Sequence, residues 1–169
     1  MTETDRQQIA ELFQRYGAGI GRYVLLRVGN PELAEEITAR VFLAVVRHIH
    51  QQKGAVVGWL WAILRTELSR HFRQRRHQPI PLDVAASNGA PGEELEQQER
   101  DELLYAALQQ LPEEAQQLVS LKFFFGASNV EIAQAMGWTP SNVGVKVHRV
   151  LKTLRVLLRK PLAMDATLS

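Results

Sequence analysis

The 169-residue sequence has no cysteine, which excludes disulfides and thiolate metal sites. It also has no long apolar run. The longest, Val56 to Leu64, falls far short of the about 20 residues that span a bilayer. The opening Met1-Thr2-Glu3-Thr4-Asp5 lacks a basic stretch followed by an apolar one, so no signal peptide is expected and a cytoplasmic location is. Convincing strands are missing too. Val56-Val57 and Val143-Gly144-Val145 are too short and lie in helical contexts. No nucleophile–base–orienter set is visible. Gly17, Gly19 and Gly21 look superficially like a phosphate loop, but they follow a helical pattern rather than a strand. His48, His50, His71 and His77 have no carboxylate at ligand spacing, and solvent-facing or phosphate-facing roles are expected for them. The expectation is a non-enzymatic chain with no catalytic residue, no metal and no cofactor.

The net charge is only +2, but the charges are unevenly placed. Met1 to His77 carries +5, Gln78 to Gln117 carries −8, and Leu118 to Ser169 carries +5. Basic, acidic, basic is the layout of two nucleic-acid-facing modules joined by an acidic segment.

Apolar residues make up 46% of the chain and recur at helical spacing. Ile9, Leu12, Phe13, Tyr16, Ile20, Tyr23 and Val24 form a first stripe. Gly29-Asn30-Pro31 predicts a turn, with Pro31 opening a helix that carries Ala34, Ile37, Val41, Phe42, Val45 and Ile49. Gln51 to Gly54 breaks the pattern. A third helix carries Leu60, Ile63, Leu64 and Leu68 and ends in Arg73, Arg75 and Arg76. Gln78 to Glu94 is rich in proline and glycine and suits a mobile linker. Helix resumes from Glu96, is interrupted at Pro112, and continues from Glu113 to Phe125, with Gly126 as its cap.

Ser128 to Leu154 carries the strongest local signal. Val130, Ile132, Ala133 and Met136 make a short amphipathic helix, and Gly137 supplies a turn. Thr139 is a good N-cap, and Pro140 fits the first helical position. A second helix buries Val143, Val147, Val150 and Leu154. This pattern is a helix-turn-helix, whose second helix enters the major groove of DNA. Its outward residues are Ser141, Asn142, Gly144, Val145, Lys146, His148, Arg149 and Lys152. Lys146, Arg149 and Lys152 suit phosphates, while Asn142 and Arg149 suit base edges.

From about Ile9 to Leu158 the chain resembles an extracytoplasmic-function (group IV) sigma factor of RNA polymerase. LFQRYGAGIGRYVLLRVGNPELAEEITARVFLAVVRHI and GWLWAILRTELSRHFRQRRH are similar to the family's region 2. LQQLPEEAQQLVSLKFFFGASNVEIAQAMGWTPSNVGVKVHRVLKTL is similar to region 4, with Leu111-Pro112-Glu113, Glu131-Ile132-Ala133 and His148-Arg149 as landmarks. The resemblance implies an all-α protein of two small helical domains joined by a flexible linker. Residues 1–78 would be the region 2-like domain, 79–100 the acidic linker, 101–160 the region 4-like helix-turn-helix domain and 161–169 a tail.

The resemblance also implies the partners: core RNA polymerase, duplex and melted promoter DNA, and an anti-sigma factor; the short apolar runs already argue against membrane insertion. Region 2 would bind the polymerase and capture the melted −10 element. Region 4 would bind the polymerase flap and dock at the −35 element. The acidic linker would pass through a channel built for nucleic acid, mimicking the charge of RNA.

Carried over by residue, Glu35, Glu36, Ile37 and Phe42 fall where the family meets the polymerase. Gln51, Gln52, Lys53, Trp61, Arg65, Arg73, Arg75 and Arg76 fall where it meets the −10 element. Trp59 stands where the family packs a core tryptophan, which leaves Trp61 as the expected base-stacking aromatic. The eight outward residues of the second helix fall at the −35 reader.

The chain departs from the family's pattern in several places. Thr38, Ala39 and Arg40 replace polar and acidic residues. His50 to Gly58 is short and lacks the usual aromatics. Thr66 replaces a frequent asparagine. Gly144 and Val145 stand where basic or hydroxylic residues are common. Glycine inside a helix costs about 1 kcal/mol, so Gly144 either allows close approach to DNA or marks weak −35 recognition. The competing reading is a stand-alone helix-turn-helix regulator, which would bind its operator without polymerase.

Overall fold

A computed structural model describes residues 1–75 and 93–168, with side chains described for 1–75 and 96–159. The described residues form seven α-helices and no strand. These are α1 (Glu3–Val28), α2 (Pro31–His48), α3 (Val56–Arg75), α4 (Glu93–Gln109), α5 (Glu113–Val119), α6 (Asn129–Met136) and α7 (Pro140–Leu168). A 3₁₀ turn (Ile49–Gln51) follows α2, and a π-helical turn (Ser120–Phe124) follows α5.

Local chemistry sets most of the boundaries. Thr2 and Asp5 form a capping box at the start of α1, and the backbone bond it makes holds the Asp5 carboxyl below its ordinary range. Gly29 ends α1 at φ 70°, a left-handed conformation that glycine adopts without strain. Asn30 then caps α2 by accepting from Leu33 N–H at 3.1 Å, with Pro31 in the first turn.

Three expected boundaries differ. α4 begins at Glu93, within the expected 79–100 linker and three residues before the expected resumption of helix at Glu96. The expected continuous helix from Glu113 to Phe125 is α only to Val119 and then widens into the π-turn. Gly126, at φ 68°, carries the chain out of that turn. The rest of the expected linker, with Arg76 and His77, lies outside the described residues. The expected tail is a continuation of α7 to Leu168.

The two halves share one core. Ile20, Tyr23 and Val24 of α1, Ile37, Val41 and Val45 of α2, and Leu60, Trp61 and Leu64 of α3 join Leu118, Leu121, Phe125 and Ile132 from the second half. Each such side chain contributes about 1.5–3 kcal/mol on full burial. A second cluster joins Leu26 of α1 to Ala107, Leu108, Leu111, Val119 and Leu154. α3 packs on α6, and α1 packs on the π-turn.

Among the glycines of the described residues, Gly19 makes the closest approach to another element. A Cβ there would stand 2.5 Å from the Phe124 carbonyl oxygen, so only glycine fits. The three glycines that looked like a phosphate loop thus lie in a helix, and one of them admits a neighbouring backbone.

Candidate nucleic-acid and polymerase interfaces

The helix-turn-helix is α6, its turn, and α7. Ser128 accepts from Glu131 N–H at 3.1 Å, and the Glu131 carboxylate accepts from Ser128 N–H at 2.9 Å, a full capping box. Gly137 turns the chain at φ 74°. Thr139 then accepts from Asn142 N–H at 3.2 Å, which starts α7 at Pro140. Ile132, Ala133 and Val143 are buried and fix the crossing of the two helices. Leu154 is buried as expected, while Val147 and Val150 are only half-buried.

α7 presents Ser141, Asn142, Val145, His148, Arg149 and Lys152 to solvent along one side. Gly144 is half-buried, and a Cβ there would meet Asn129 at an ordinary 3.8 Å, so internal packing does not demand glycine. Lys146 is also half-buried. Its ammonium lies 3.3 Å from the Glu114 carboxylate and 4.4 Å from the centre of the Trp138 ring. Glu114 and Trp138 were not singled out by sequence, because α5 meets α7 only in the fold.

α3 offers a second basic face. Arg65 and Arg73 are exposed, Arg75 is half-buried, and exposed Arg70 lies on the same helix, 3.5 Å from Glu67. Gln51 and Lys53 are exposed in the preceding loop. The Gln52 amide is engaged within the fold: it accepts from Gln8 at 3.0 Å and donates to the Gly54 carbonyl at 3.0 Å.

Three expectations on α3 are corrected. Trp61, expected to stack on bases, is 1% exposed, packed 4.9 Å from Tyr23 and 5.5 Å from Phe125 between ring centres. Trp59, expected in the core, is only half-buried. The reason is helical phase: Val57, Leu60, Trp61, Leu64 and Leu68 share the buried stripe, and Trp59 lies off it. Burial there also pushes the Tyr23 hydroxyl up to about 12. His71, expected to face solvent or phosphate, is buried beside Phe72. Desolvation first, then Arg75 and Arg40, lower its pKa, so it favours the neutral form.

The α1–α2 face carries an apolar groove lined by Phe13, Arg22, Leu25, Glu35, Thr38 and Phe42. Glu35 and Glu36 are exposed beside it, with Glu36 paired to Arg40. Phe42 meets Phe13 edge-on at 4.9 Å. Phe13, read from sequence as core, is 60% exposed, and Leu43 is 56% exposed. Ile37, expected at the polymerase contact, is wholly buried, so its side chain supports α2 from within rather than meeting a partner.

Residues 12–78 match the family description Sigma-70 region 2, and residues 101–154 match Sigma-70, region 4. The chain belongs to the sigma-70 family of RNA polymerase sigma factors, of the extracytoplasmic-function type. This sigma factor is 29% identical to the ECF RNA polymerase sigma factor BldN of Streptomyces coelicolor, over 87% of this chain and 59% of that relative's length. It is 28% identical to the ECF RNA polymerase sigma factor SigX of Bacillus subtilis, over 91% and 87% of the two chains.

Two solved structures share the fold. CnrH in complex with the cytosolic domain of CnrY aligns at TM-score 0.66 and 16% identity, covering 92% of this chain and 90% of that one. The sigma factor RpoE with the anti-sigma factor NepR from Bartonella quintana aligns at 0.67 and 16%, covering 90% and 98%. No helix among the described residues is long and apolar enough to cross a membrane.

Proposed function

We propose that this sigma factor joins core RNA polymerase through the α1–α2 face and directs it to promoters through two DNA-facing surfaces. Exposed Arg65 and Arg73 on α3, with Gln51 and Lys53, follow the −10 region. Ser141, Asn142, His148, Arg149 and Lys152 on α7 read the −35 region. Phosphate contacts position the protein, and Asn142 and Arg149 supply base-edge contacts. Exposed Phe13 and Glu35 meet the polymerase, and Phe42, expected from sequence at that contact, is buried and supports Phe13 from behind. The protein works by binding alone, in the cytoplasm where polymerase and chromosome are, and an anti-sigma factor is its inhibitory partner.

The observation that carries this reading is the capped helix-turn-helix, with one solvent-facing side of α7 that is polar and basic. A gel-shift series with and without core polymerase tests it. Retardation of a promoter fragment only when core is present supports the sigma role. Tight binding of a defined duplex by the protein alone, with no core complex, would favour a stand-alone regulator.

A further inference from the structure

Lys146 stands on the recognition helix, yet its charge is already occupied. Its ammonium is 3.3 Å from Glu114 and 4.4 Å from the Trp138 ring centre, and only 27% of the side chain is exposed. Glu114 sits in the first turn of α5, a different element from the helix-turn-helix. Its position is fixed by its neighbours. Adjacent Glu113 pairs with Arg27 of α1 at 3.3 Å, and the buried Gln116 amide donates to the Leu108 carbonyl at 3.0 Å. Glu114 itself keeps 58% of its side chain exposed. Lys146 lies at the edge of the DNA-facing side of α7, and a carboxylate held beside it opposes any phosphate that approaches that lysine.

We infer that Glu114 is a positioning residue that lowers the affinity of α7 for DNA by holding Lys146 on Trp138. Docking then requires a phosphate to displace Glu114. Phosphate contacts dominate non-specific binding, so an acid at this position weakens adhesion to arbitrary duplex. This inference rests on α7 being the DNA-facing helix.

The test measures equilibrium binding of holoenzyme to a promoter fragment and to an unrelated duplex of equal length, at low salt. The proteins are wild type, Glu114→Gln, Lys146→Gln, the Glu114→Gln/Lys146→Gln double variant and, as a control for the DNA-facing side of α7, Arg149→Ala. Glu114→Gln is expected to tighten binding to the unrelated duplex by about two- to fivefold, the range of one exposed ion pair. The gain disappears in the Lys146→Gln background. A merely structural role for Glu114 would not depend on Lys146. Equal or weaker binding by Glu114→Gln overturns the inference, as does a gain that persists without Lys146. If instead Lys146→Gln and Arg149→Ala both bind either DNA like wild type, the placement of α7 on DNA is what fails.

Discussion

The α-carbon of Gly19 faces the Phe124 carbonyl so closely that a Cβ would stand 2.5 Å from the oxygen. Two turns of backbone, one from each half of the chain, touch there without a side chain between them. Gly21 lies on the same helix, but a Cβ there would meet nothing nearer than Thr38 at 3.9 Å. The same substitution therefore has opposite signs at the two sites. Gly19→Ala is expected to destabilise the fold by about 1–3 kcal/mol, the cost of overpacking. Gly21→Ala is expected to stabilise it by up to about 1 kcal/mol through helix propensity. Urea midpoints of the two variants check this; equal shifts would contradict it.

Trp61 lies under both halves, against Tyr23 on one side and Phe125 on the other. Trp61→Ala is expected to cost about 3–5 kcal/mol. Trp59→Ala, at a half-buried site, should cost clearly less. Tryptophan emission gives an independent readout. Gly19→Leu, which forces the α1–π-turn contact apart, should shift the emission to longer wavelength, and that shift should be absent in a Trp61→Phe background.

His71 makes stability depend on pH. Its folded-state pKa is lowered from 6.5, by burial first and by Arg75 and Arg40, against Glu36. The unfolded chain therefore takes up a proton more readily. Stability from this site is full above pH 6.5 and is lost as pH falls below 6.5 toward the folded pKa. His71→Phe should flatten the decline in thermal midpoint between neutral and mildly acidic pH. An unchanged decline would place its origin elsewhere.

Elements whose signals are local were legible in the sequence. Gly29-Asn30-Pro31 and Gly137-Trp138-Thr139-Pro140 carry their own turn and cap chemistry, and the structure places both turns there. Features that depend on a distant partner were not. Gly19 needs Phe124, Lys146 needs Glu114, and nothing within a helix's own period announces either. The Trp59/Trp61 reversal is a different case. The buried stripe of α3 already held Trp61 at helical spacing with Leu60, Leu64 and Leu68, so phase alone identifies it. Phe13 fitted the apolar stripe of α1 but stands at its edge, where the stripe opens into the groove.

Run-off transcription from one mapped promoter shows whether α3 and α7 direct the polymerase to DNA. Purified core polymerase would be supplied with wild-type protein, Arg149→Ala, or Arg65→Ala/Arg73→Ala. A discrete transcript with wild type, cut about fivefold or more by Arg149→Ala and clearly reduced by Arg65→Ala/Arg73→Ala at unchanged core binding, is the expected result, since a lost base contact costs about 1–3 kcal/mol. Full transcription by both variants, or no transcript from that promoter with wild type, would overturn it.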